Sequence, residues 1–164
     1  MKEIKHTCLI QEFDNISELE PIERQLLEAA ANIRDKAYAP YSKFYVGAAV
    51  ELEDGTVVLG SNQENVAYPS GLCAERTALF AAHANHPGKA VVRIAISASS
   101  GEFDTDEPVY PCGACRQVIS EYERLAGGQI QIVMRGKKGK THKVNGLINL
   151  LPVAFDADKL RRDK

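Results

Sequence analysis

The sequence predicts an α/β protein in three layers, with a mixed five-stranded sheet between helices on both faces. Three observations lead there. Asp54-Gly55 stands between two apolar runs and marks an antiparallel hairpin. Strand-like and helix-like runs then alternate through the second half, which implies parallel pairing there. The chain has 164 residues, of which 45% are hydrophobic and 26% charged, and this suits one domain with one core.

The elements follow in order. Residues 1–20 show no firm periodicity and are read as an N-terminal extension, which leaves 21–164 as a single domain. Pro21 opens a helix with Ile22, Leu26, Ala29, Ala30, Ile33 and Ala37 on one face, and Pro40 stops it. Phe44 to Leu52 is rich in β-branched, aromatic and small residues and reads as a strand, with Thr56 to Leu59 as its return. Gly60 to Gly71 is polar and reads as a loop. Leu72 to His83 is Ala-rich and suits a helix, which Pro87-Gly88 ends. Val91 to Ala98 is a short apolar run, expected as a buried strand. Cys115, Val118, Ile119 and Tyr122 recur at helical spacing, and Gly127-Gly128 closes that helix. Gln129 to Met134 alternates as a strand does, Thr141 to Val144 is a short last strand, and Leu147 to Leu151 is a helical turn before Pro152. No repeat or low-complexity segment interrupts this order.

The bulk properties exclude some classes. A formal net charge of -2 argues against a nucleic-acid surface. No apolar run approaches a membrane span, and Met1 to Asn15 lacks the apolar stretch of a signal peptide. The expectation is a cytoplasmic protein with no membrane and no nucleic-acid partner. Cys8 stands apart near the N-terminus and reads as a spare thiol.

The other three cysteines carry the chemistry. Cys73 opens one predicted helix, and Cys112 and Cys115 open another, three residues apart on one face. A helix N-terminus favours thiolate over thiol, so two such ends converging hold a zinc ion between three sulfurs. Glu75 lies two residues after Cys73 and does not share its helix face, so it can stand beside a metal without ligating it. Three thiolates on one divalent ion make a net negative site, which acidifies water poorly. Arg76 is placed to donate a hydrogen bond to a cysteine sulfur and offset this, although a plain exposed arginine fits the position equally well. Cys112 and Cys115 alone suit a redox pair as well as a metal, and the third cysteine favours metal. His83 and His86 lie roughly 15–20 Å from Cys73 along a straight helix, too far to close the shell. A closed structural zinc and a thiol redox protein remain the rival classes.

The segments Tyr41-Ser42-Lys43-Phe44-Tyr45-Val46-Gly47-Ala48-Ala49, Asn62-Gln63-Glu64-Asn65, Tyr68-Pro69-Ser70-Gly71-Leu72-Cys73-Ala74-Glu75-Arg76-Thr77, Pro111-Cys112-Gly113-Ala114-Cys115-Arg116-Gln117 and Leu150-Leu151-Pro152-Val153-Ala154-Phe155 together narrow the choice. The chain resembles cytidine deaminases of the small homotetrameric, three-cysteine type, from about Ile22 to Phe155. That resemblance implies Cys73, Cys112 and Cys115 as ligands of one Zn2+ per subunit, and Glu75 as the catalytic proton shuttle. It implies Asn62 and Glu64 on the ribose 3′-hydroxyl, Phe44 on the pyrimidine ring, and the backbone of Ala74 on the base edge. Phe155 would reach a neighbouring subunit's site in a homotetramer. The implied reaction is hydrolysis of cytidine and 2′-deoxycytidine to uridine and 2′-deoxyuridine with release of ammonia. Each polar or aromatic residue also has a plainer role: turn chemistry for Asn62 and Glu64, core packing for Phe44 and Phe155. A relative acting on another aminated heterocycle is disfavoured by Asn62 to Asn65. The sequence departs from the family at Gln63, Ala67 and Tyr110, the last standing where a smaller residue often precedes the proline.

Overall fold

Sheet and helices alternate as β1 (Gln11–Phe13), α1 (Pro21–Arg34), β2 (Phe44–Leu52), β3 (Val57–Ser61), α2 (Ala74–Asn85), β4 (Val91–Ser100), α3 (Gly113–Ala126), β5 (Gln131–Arg135) and β6 (Thr141–Asn145). The structure, a computed structural model, describes residues 1–156 and 160; the far end of the expected domain, 157–159 and 161–164, lies outside the described residues. The sheet order is β1-β6-β5-β4-β2-β3. Only β4 and β5 pair in parallel, and the other neighbours are antiparallel. The sheet is therefore mixed, as expected, but it has six strands rather than five. The sixth is β1, which lies in the extension and pairs with β6. It has three residues, Gln-Glu-Phe, too few to show a period of two.

The alternation of side chains along a strand divides the core into two layers. On one face, Leu26, Leu27 and Ala30 of α1 pack on Ala49, Ala95 and Val133. On the other, Ala74, Ala78 and Leu79 of α2 and Ile119 of α3 pack against Val50, Ile94, Ile96, Ile132 and Met134. Strands covered on both faces read as nearly continuous apolar runs, which is why β4 was legible as a buried strand, whereas β5 showed itself by alternation. Leu19 of the extension is buried within the α1 layer, with Phe13 and Ile16 packed beside it. Among the described residues no helix is long and apolar enough to cross a membrane.

Two departures from expectation serve the site. Helix α1 ends at Arg34, short of Ala37. The chain turns out there because Tyr38 donates its backbone N–H to Asn62 and accepts from Glu64, forming a bridge with the loop after β3. That loop is then tied to Leu72 by paired backbone bonds with Gln63, just before α2 begins. The polar segment 60–71 is thus held from both sides.

Helix α2 rides unusually close to β3. A Cβ at Gly60 would lie 2.4 Å from the Ala78 nitrogen and 2.7 Å from the Ala74 carbonyl oxygen. Only glycine permits that approach, which sets the depth of the helix carrying Glu75. Gly60→Ala is therefore expected to lower stability by about 1–3 kcal/mol through overpacking. A denaturant midpoint unchanged from the parent would contradict this.

Candidate metal centre and cavity

Two helix N-termini meet at the edge of the α2–α3 layer. Cys73 is the N-cap of α2 and Cys112 the N-cap of α3, and neither side chain is used to cap its own helix. Cys115 follows one turn into α3 and is fully buried. The sulfurs of Cys73 and Cys112 are 3.7 Å apart, those of Cys112 and Cys115 are 3.5 Å apart, and all three lie within 4.8 Å of one another. A tetrahedral zinc with bonds of about 2.3 Å separates its sulfurs by about 3.8 Å. The triangle fits that ion without rearrangement. Among the described residues it is the one cluster of three such groups with this spacing.

The charge environment suits thiolates. The Cys73 thiol is lowered to about 5, chiefly by the hydrogen bond with Cys115 and then by Arg76. Arg76 Nη2 donates to Cys73 Sγ at 3.8 Å, while its buried Nε has no partner. The helix N-termini add partial positive charge from the same side. The Cys115 thiol is raised, first by its hydrogen bond with Cys73 and then by burial.

Glu75 sits in the first turn of α2 with only 4% of its surface exposed. Burial raises its carboxyl to about 7, and the Cys73 thiolate adds to the rise. It shares one cavity of about 680 Å³ with Cys73, Cys112, Arg76, Phe44, Asn62 and Glu64. Its volume suits a small-molecule ligand. The histidines stay away from the sulfurs: His83 packs edge-on against Tyr122, and His142 bonds to Tyr110 and Glu12.

The polar wall of the cavity is already organised. Asn62 Oδ1 accepts from the Val46 N–H at 2.7 Å, and Asn62 Nδ2 donates to the Phe44 carbonyl at 2.9 Å. The amide is thereby fixed, with one N–H and one lone pair left over. Glu64 accepts from the Tyr41 N–H at 2.9 Å, from the Ser42 N–H at 3.3 Å and from the Ser42 hydroxyl. The Ser42 hydroxyl and the two backbone donors hold its carboxyl below the usual range. Phe44 is half-buried and stacks on Phe103 with centroids 6.3 Å apart. Ala74 is fully buried at the start of α2. Phe155 stands 60% exposed and does not line its own chain's cavity.

A family model described as the cytidine and deoxycytidylate deaminase zinc-binding region matches residues 21–126. The chain belongs to this family. It is 41% identical over 137 residues to the cytidine deaminase of Halalkalibacterium halodurans, covering 84% of this chain and 96% of that one. The crystal structure of cytidine deaminase from Burkholderia pseudomallei is similar with a TM-score of 0.68 and 42% identity, over 80% of this chain and 97% of that chain. The cytidine deaminase structure from Mycobacterium tuberculosis gives a TM-score of 0.62 and 34% identity, over 80% and 95%. The family is zinc-binding, and the three cysteines are positioned to hold that ion.

Membership also draws attention to residues whose structural work the sequence left unassigned. Arg116 Nε donates to the Pro111 carbonyl at 2.8 Å and its Nη1 to the Leu150 carbonyl at 2.7 Å. Gln117 Nε2 donates to the Phe155 carbonyl at 2.6 Å. These two side chains tie the Pro-Cys turn to the C-terminal segment. Their adjacency to Cys115 in the motif was the available signal. Ser42, which secures Glu64, stands two residues before Phe44 in the sequence and offers no signal of its own.

The lowered Cys73 thiol has a direct consequence in metal-free protein. Ultraviolet thiolate absorbance should grow as pH rises through about 5, and Arg76→Ala should move that rise upward. Titration only near the ordinary thiol value of about 8.5 would contradict the arrangement.

Proposed function

We propose that the protein catalyses hydrolytic deamination of cytidine and 2′-deoxycytidine to uridine and 2′-deoxyuridine, releasing ammonia. The observation that carries this is the sulfur triangle with buried Glu75 beside it, opening into one cavity with Asn62 and Glu64. Cys73, Cys112 and Cys115 would hold the zinc, which when bound would supply an activated water.

The chain's own residues do the rest. Glu75, poised near neutrality, takes a proton from the attacking water and places it on ring N3, which makes C4 electrophilic. The water oxygen bonds to C4, the bond from C4 to the exocyclic nitrogen breaks, and Glu75 passes a second proton to the departing ammonia. The backbone of Ala74 at the helix start reads the base edge, and Phe44 packs on the ring. Asn62 and the anionic Glu64 hold the ribose 3′-hydroxyl as donor and acceptor. A site built on that hydroxyl selects nucleosides over free bases. Arg76 keeps its bond to Cys73 and offsets the negative charge of three thiolates.

One zinc per subunit belongs to a single domain from residue 21, and residues 1–20 extend it by adding β1 to the sheet and Leu19 to the core. The protein acts in the cytoplasm, where thiols stay reduced. Phe155 leaves its own cavity unlined and its ring exposed, which supports a homotetramer in which it enters a neighbour's site. Sedimentation of a fully active monomer would remove that part.

Purified zinc-replete protein should deaminate cytidine and deoxycytidine but leave cytosine, adenosine and blasticidin S untouched, as followed by ultraviolet absorbance. Glu75→Ala should retain zinc and lose at least about 10²–10⁴ in kcat. Turnover of cytidine by this variant at the parent rate would overturn the role given to Glu75.

A further inference from the structure

Tyr110 joins two features that the reaction leaves unused: a bulky residue on the cavity wall and an N-terminal extension paired to the sheet. Tyr110 lines the cavity. Its hydroxyl is hydrogen-bonded to His142 Nδ1, and the two rings lie 5.7 Å apart. His142 Nε2 is hydrogen-bonded to Glu12 Oε2 at 2.8 Å. Lys140 donates to the other Glu12 oxygen. An ionised carboxylate only accepts, so Nε2 is the donor there, and in a neutral imidazole Nδ1 accepts from the tyrosine hydroxyl.

The chain of bonds follows from strand register. Glu12 of β1 is paired with His142 of β6, so their side chains leave the same face of the sheet. His142 shares that face with Val144, which belongs to the core layer of α2 and α3. The relay therefore runs from the edge strand to the layer that holds the cysteines.

Tyr110 shares the cavity with Cys73, Cys112 and Glu75. Tyr110 stands two residues before Cys112, within about 7 Å of chain. On the deamination reading above, on which this inference rests, the amine leaves from the ring carbon nearest the metal. We propose that Tyr110 is a specificity-determining residue that bounds the space beside the exocyclic amine. His142 and Glu12 position its ring, so that the extension closes the cavity against N4-alkylated cytidines. Such a substrate would react with the same balance: water adds at C4, the bond to nitrogen breaks, and methylamine leaves in place of ammonia.

The test uses the full-length zinc-loaded protein with cytidine and N4-methylcytidine, and reads the ratio of their kcat/KM values. Tyr110→Ser should raise the ratio for the methylated substrate at least about tenfold, the usual discrimination carried by one methyl-sized group. Glu12→Ala should raise it in the same direction and raise KM for cytidine more than it lowers kcat. Glu12→Gln should restore the parent ratio, because its amide oxygen still accepts from His142. Tyr110→Phe keeps the ring and removes its tether, so it should resemble Glu12→Ala and serves if the serine variant does not fold. An increase below tenfold in a folded Tyr110→Ser variant, or a change in Glu12→Ala that Glu12→Gln fails to reverse, overturns the proposal. So does a Tyr110→Phe ratio equal to the parent's. A parent protein inactive on cytidine overturns the deamination reading as well; a parent active on cytidine confines the failure to Tyr110.

Discussion

Two helix starts aimed at one point are the constraint on which the rest of the structure depends. Each contributes an N-cap cysteine whose sulfur is spared from capping, and α3 adds Cys115 one turn further in. Three thiolates this close repel one another strongly, and a divalent ion leaves the cluster net negative. The arrangement is tolerable because cationic Arg76, the two helix N-termini and the metal act on it together. Removing any of them leaves the partly buried negative charge less well compensated.

That convergence is imposed by the sheet. Small residues let the helices come close: Ala48, Ala74 and Ala78 are fully buried in the α2 layer, and Gly60 admits α2 to a depth that no other residue allows. On the opposite face, a Cβ at Gly47 would lie 2.0 Å from the Ala30 carbonyl oxygen, so α1 is seated equally tightly. Asn62 links fold to chemistry. Its amide bonds to the backbone at Phe44 and Val46, so a residue facing the cavity also fixes the edge of β2. Glu64 does the same for Tyr41 and Ser42. The cavity is consequently rigid on its polar side before any ligand arrives, which lowers the cost of binding.

Much of this was legible in the residues. Asp54-Gly55 marked the hairpin, Gly127 marked the end of α3, where the structure places it at a left-handed φ of 66°, the apolar run of β4 marked a buried strand, and the alternation from Gln129 to Met134 marked β5. The three cysteines and Glu75 stood out because their residue types and spacing admit few other uses. Other features were silent for physical reasons. Strand β1 is too short and polar to show alternation, and it forms because β6 offers an edge to pair with. The early end of α1 reflects a long-range bond between Tyr38 and Asn62, which local propensity does not record. The Tyr110–His142–Glu12 relay spans most of the chain, and each of its members looked ordinary alone. Phe155 was visible as a motif residue, and in the structure it stands exposed, outside its own chain's cavity.

Deamination requires an ion bound by three sulfurs with its fourth position left to solvent. X-ray absorption at the zinc edge of the purified protein measures this directly. Three sulfur neighbours at about 2.3 Å are expected, with one lighter neighbour that exchanges when a ligand enters the cavity. A shell of four protein atoms, unaltered by added nucleoside, would contradict it.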